Sequence, residues 1–213
     1  MARLRKQLGV AALATMAATT VAGAQIMRRP VSRPVVNWAG ASIGLVQGFG
    51  VADGTTSSAW NFGSGLAYAA RLEHPLQGGA LGFGVQASYA RLPLSYSSSS
   101  FNGDAKATVT ELTAVLRYGA GYSFHPIYEL QAGAIGFSDF RSTGVTPEVK
   151  LSTSTDYDPK FAIGYGFGFG LSSRASIDIV QELGWIFHQR DGLSGSSSYP
   201  RMTVTRLGGK LAF

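Results

Sequence analysis

The chain contains no cysteine. That excludes disulfides, zinc–thiolate sites and thiol catalysis together, and with them the cysteine on which N-terminal lipidation depends. Charge is sparse: 14% of the 213 residues are Asp, Glu, Lys or Arg, against roughly 25% in soluble domains. Beyond the N-terminal leader, no stretch has the ~18 consecutive apolar residues of a membrane helix. The glycine-rich runs contain no G-x-G-x-x-G phosphate loop. There are three histidines, His74, His125 and His188, at separate segment ends and without metal-ligand spacing. Neither a metal nor a cofactor is expected.

Of what is present, glycine stands out at 28 residues. At the N-terminus, Arg3, Arg5 and Lys6 precede an uncharged Ala-, Leu- and Val-rich run over 8–21, and Ala22, Gly23 and Ala24 form an A-x-A cleavage site. Residues 1–24 read as a cleaved Sec signal peptide. Residues 25–34, "QIMRRPVSRP", read as a periplasmic linker ahead of one domain over 35–213. The leader and linker hold six of the 18 basic residues, leaving 12 against 12 acidic ones. A nucleic-acid binder concentrates positive charge in its folded domain, so that class is set aside.

Over 161–171, "FAIGYGFGFGL", every odd position is large and apolar and every even one is Ala or Gly. Side chains of a strand alternate between faces. A water-facing surface made of glycine would weaken a strand. In a small membrane barrel the large residues meet lipid, and the small ones make room in a crowded lumen. Similar alternation marks eight segments, 35–49, 60–72, 80–94, 106–122, 127–138, 161–171, 175–188 and 199–213. The fifth is the least regular, because Ile135 and Phe137 share a face with Glu129 and Gln131. The second places Trp60, Phe62, Leu66, Tyr68 and Leu72 together on the lipid face.

The connections alternate too. Those near 50–59, 95–105, 139–158 and 189–198 are long, and "EHPLQGG", "SFHP" and "SSR" are short. Short periplasmic turns with longer extracellular loops are the habit of outer-membrane barrels. Eight strands then leave both termini periplasmic. Trp60, Phe62, Tyr89, Phe161, Trp185 and Phe187 fall near the long loops, and Tyr118, Tyr122, Tyr128, Phe169 and Phe213 near the short turns, as two aromatic girdles. The chain ends "TRLGGKLAF", with Leu207, Leu211 and Phe213 at alternate positions. With these features it resembles the small OmpA/OmpX-type outer-membrane β-barrel proteins. The expected fold is all-β, an eight-stranded antiparallel up-and-down transmembrane β-barrel. The resemblance implies that Leu207, Leu211 and Phe213 form the signal read by the barrel-assembly machinery.

Parity assigns Arg71, Glu111, Arg117, Glu129, Asp178, Glu182, Arg206 and Lys210 to the lumen, four positive and four negative. Buried charges must be paired, so a network closing the lumen is expected. One register of the last two strands would set Asp178 opposite Lys210 and Glu182 opposite Arg206 at once. The expected role is structural or surface-interacting, with at most a small pore and no catalytic residues. Partners are outer-membrane lipids, the assembly machinery and an extracellular ligand held by the loops, with the barrel a monomer. The alternatives are a small passive porin and a lipid A deacylase-like acyl hydrolase. The second would need His188 as base beside Asp191 and the serines Ser194, Ser196, Ser197 and Ser198.

Overall fold

The period-two pattern gives ten β-segments: β1 (Trp38–Val46), β2 (Phe49–Asp53), β3 (Ser58–Phe62), β4 (Gly65–Pro75), β5 (Leu81–Ser97), β6 (Asn102–Tyr118), β7 (Phe124–Ser142), β8 (Tyr157–Gly170), β9 (Ala175–Ile186) and β10 (Arg201–Ala212). The computed structural model describes residues 36–54, 56–76, 80–119, 123–144, 147–151, 157–188 and 199–213. All of them fall within one compact unit, Val35–Phe213. The leader, the linker, Tyr122, Asp191 and the serines of 194–198 lie outside the described residues.

Every pairing between strands is antiparallel. β1 bonds to β4 on one side and β10 on the other, and the series β4–β5–β6–β7–β8–β9–β10 joins the two. The ring therefore closes within a single chain, sealed at Trp38↔Ala212. β2 continues β1 and β3 continues β4, so eight strands stand around the ring. Closure removes the unpaired strand edges that cannot face lipid. On β8 the expected faces are observed: Phe161, Tyr165, Phe167 and Phe169 point outward, and Ala162 is fully buried inside.

The faces do not keep one phase along every strand. β4 pairs with β5 at Ala67↔Ala90, and β3 pairs with it at Trp60↔Tyr96. These registers differ by one residue, taken up at Gly63–Ser64, where the Gly63 amide donates to the Pro93 carbonyl at 2.8 Å. One extra residue reverses every side chain beyond it. The neighbouring strand reverses in step at Gln47–Gly48, between β1 and β2. Below the break Leu45, Leu66 and Tyr68 face outward; above it Phe49, Val51, Trp60 and Phe62 face inward. This corrects the expected lipid-facing places of Trp60 and Phe62, and removes both from the outer girdle. A third irregularity lies on β7 at Asp139, with φ of 50°, and lets Phe137 and Phe140 both point inside.

Two expected loops are also strand. The segments near 50–59 and 95–105 continue as β2–β3 and β5–β6, the first pair tied beyond its ends by the Ser57 amide to the Gly54 carbonyl and the second by the Ser98 amide to the Phe101 carbonyl. Ser and Gly there look like loop residues. Their strands hold because the inward positions, Tyr96, Leu94, Ala105 and Ala107 among them, are buried and apolar. Finally, Gly166 is not a roomy lumen position. A Cβ built there would lie 2.0 Å from the Ile179 carbonyl oxygen, so its glycine permits close approach of two strands.

Candidate functional site

The interior is the site that the sequence singled out, and it has two layers. The layer toward the short turns is polar and centred on Glu129 of β7. Arg71 of β4 grips this carboxylate with both terminal nitrogens, at 2.5 and 3.0 Å. Arg206 of β10 donates to it at 2.6 Å and Arg117 of β6 at 3.1 Å. Gln131 Nε2 adds a contact at 3.0 Å and reaches across to Glu182 of β9 at 3.1 Å. Gln86 Oε1 accepts from both Arg71 and Arg206.

Around this hub the remaining charges meet in smaller groups. Lys160 Nζ lies 2.7 Å from Glu182 and 2.8 Å from Glu111. Asp178 accepts from Arg117 at 2.7 Å. Lys210 lies 3.3 Å from Glu73 and 4.9 Å from the Trp38 ring centre. The eight charges named from the sequence thus all point inward, and each has an opposite charge in contact. Lys160 and Glu73 complete them, making five of each sign. Sequence reasoning missed these two because it began the sixth strand at Phe161 and ended the second at Leu72. Extending the same parity by one residue would have found both.

The register of the last two strands differs by two residues from the one that would set both pairs opposite. Glu182 faces Val204 and Asp178 faces Gly208. Arg206 Nε still reaches Glu182 diagonally, at 3.4 Å. Asp178 and Lys210 take different partners, Arg117 and Glu73. Long cationic side chains span more than one register position, so parity locates them better than pairing arithmetic does.

The layer toward the long loops is apolar apart from one buried His–Asp cluster. Trp60 packs on Phe140 and Phe137 at 4.7 and 5.8 Å between ring centres, and Phe49 stacks on Phe62 at 4.7 Å. Leu92, Leu94, Ile135, Ile186 and Met202 fill in around them. His188 is buried at this end, as its parity implied, with Nδ1 2.7 Å from Asp158 Oδ2 and Nε2 3.8 Å from Asp53 Oδ1. Thr56 and Ser58 extend the group, and Trp60 donates to Ser58 Oγ at 2.8 Å. This cluster ties β2, β8 and the chain just beyond β9 together. Among the described residues no three His, Asp or Glu side chains form a metal-binding set.

Between and below the layers are cavities of about 20 and 30 Å³, each room for roughly a water molecule or two. On the outer surface of the loop end, Arg91 and Arg141 both contact Asp139, and Lys106 contacts Glu148. The hydrogen bond from Arg141 holds the Asp139 carboxyl below its ordinary value, and Lys106 does the same for Glu148. Leu207, Leu211 and Phe213 face outward and are exposed near the chain end.

No family model matches the chain, and no curated protein matches it in sequence. Its fold does match solved structures. The outer membrane protein OprG from Pseudomonas aeruginosa is 13% identical, with a TM-score of 0.50, covering 84% of this chain and 96% of that one. Neisserial surface protein A is 12% identical at a TM-score of 0.48, covering 83% and 97%. Ail of Yersinia pestis is 17% identical at 0.44, covering 83% and 99%. By fold, this chain is an eight-stranded antiparallel β-barrel, similar to that of OprG.

Proposed function

We propose that the chain is a non-conducting, non-enzymatic barrel of a bacterial outer membrane, serving as a rigid scaffold that presents its loop end for surface interaction. The observation that carries this reading is the filled interior. A ring of eight strands is just wide enough for its own side chains. Among the described residues a paired ionic layer and an aromatic layer occupy it in succession, with cavities of about 20 and 30 Å³ between and below them. In this reading residues 1–24 are the cleaved leader and 25–34 the periplasmic linker. Both termini lie in the periplasm, and Leu207, Leu211 and Phe213 are read by the barrel-assembly machinery.

The acyl-hydrolase alternative is not favoured. His188 sits inside, against Asp158 and Trp60, and away from the lipid face where an acyl chain would arrive. The test is a conductance trace of the refolded protein in a planar bilayer, with an acyl-release assay on lipid A alongside. The reading expects neither steady single-channel steps nor acyl release. Either one, from pure protein, would overturn it.

A further inference from the structure

The outer wall carries one feature that a lipid-facing surface has no use for. The outward residues of β9 run Ile177, Ile179, Gln181, Leu183 and Trp185, placing an amide at the middle of the apolar belt. Directly opposite Gln181 are Tyr165 on β8 and Thr205 on β10, so three polar side chains form one row across the wall. The Thr205 hydroxyl donates to Gln181 Oε1 at 2.7 Å. Gln181 Nε2 reaches the Val204 carbonyl only at 3.5 Å. The amide has two N–H groups, so at least one lacks a protein acceptor among the described residues. Hydrocarbon offers no acceptor, and an unmet polar group there is costly.

We infer that the β8–β9–β10 wall associates with the same wall of a second copy, side by side in the bilayer, with Gln181 at the two-fold axis. The argument for a second copy is the chemistry of the amide. A carboxamide is donor and acceptor at once, so two of them related by a two-fold axis satisfy each other, as an isologous interface requires. An acyl chain offers neither function, and headgroups do not reach this depth. Ile179, Leu183 and Leu207 supply apolar contact around the axis, each outward-facing on the same wall. The ring closes within one chain, so this association adds to the barrel rather than completing it. It replaces the expected monomer with a reversible dimer.

The absence of cysteine makes the test clean. Ser172→Cys, in the exposed turn between β8 and β9, provides one labelling site outside the membrane. Donor- and acceptor-labelled proteins are reconstituted together, and energy transfer is followed as lipid is added. Transfer is expected to persist above the random-mixing curve. Gln181→Leu should move the dissociation midpoint about three- to tenfold toward higher protein-to-lipid ratio, the size of a lost side-chain hydrogen bond in a membrane. Gln181→Asn should keep most of the association. All variants should show the same heat-dependent gel mobility, which reports folding independently of the conductance reading. The inference is overturned if wild-type transfer follows random mixing at every dilution, or if Gln181→Leu leaves the midpoint unchanged. It is equally overturned if transfer appears only after a cell-envelope extract is added, because the occupant is then another protein.

Discussion

The two halves of the barrel are inside out with respect to each other. In the short-turn half, large apolar residues such as Tyr68, Phe167 and Leu207 point outward, and ten charges meet within. In the loop-end half the order is reversed, with Trp60, Phe62, Phe137 and Phe140 inside and Lys106, Arg141 and Asn61 outside. The first arrangement suits a wall surrounded by hydrocarbon, and the second suits a sheet surrounded by water. The change of solvent is thus written into the strands: on two of them the one-residue breaks at Gln47–Gly48 and Gly63–Ser64 carry it out, whereas β5 keeps one phase and its outer face changes from apolar to polar residues instead. The lesson is that this barrel contains two cores, held by different forces.

The largest expected effect falls on the polar core. Glu129→Ala removes the shared partner of Arg71, Arg117 and Arg206, leaving three buried cations short of charge. Removing one side of a buried pair typically costs ~3–5 kcal/mol. Urea unfolding in detergent or lipid should show a loss of at least that order, with amide protection lost around the whole ring. Trp60→Ala should cost a comparable ~3–5 kcal/mol by the usual measure of an aromatic core deletion. Its loss of amide protection, however, should stay in the loop-end half, over 49–62 and 90–109, with heat-dependent gel mobility kept. If both substitutions loosen the same amides, the interior is one core and not two.

On the wall, Phe167→Arg should cost about 2–4 kcal/mol, as a charge near the bilayer midplane. Gly166→Ser, one residue away and facing inward, should be comparably disruptive because of the Ile179 carbonyl beside it. A mild Gly166→Ser, followed by the same unfolding assay, would mean that the two strands separate more easily than their spacing implies.

Much of this was legible in the residues, for a physical reason. Period two is enforced by the strand itself, so the closed barrel, its antiparallel order and the inward direction of all eight named charges could be read from parity. What parity cannot see is a change of phase. Glycine fills so many inward positions that Gly63 and Gly48 did not stand out as breaks, and Trp60 and Phe62 were carried to the wrong face with the rest of their segment. The second segment stops at Leu72 and the sixth begins at Phe161, one residue short in each case, which hid Glu73 and Lys160. The polar surface of 95–105 read as loop because its apolar inner face is interleaved with Ser and Gly.

The smallest effect belongs to the exposed pairs of the loop end. Asp139 and Glu148 are both held below their ordinary values, by Arg141 and Lys106. A depressed carboxyl contributes stability that is present above its unfolded value and is lost as pH falls through its folded one. Amide protection over 138–144 and 147–151 should therefore change little until the pH drops through the ordinary carboxylate range, and weaken below it. High salt at neutral pH should weaken it slightly as well. Protection that rises on acidification would reverse the sign of these contacts.

The reversal of faces is the claim on which the two-core account stands, and a single-cysteine spin-label scan across 59–72 tests it most directly. The account predicts that outward phase is odd at Ala59 and Asn61, with collision by a water-soluble relaxation agent. It predicts even phase from Leu66 through Tyr68 to Leu72, with collision by oxygen dissolved in the lipid. One unbroken even phase, with Trp60 and Phe62 in contact with lipid, would contradict it.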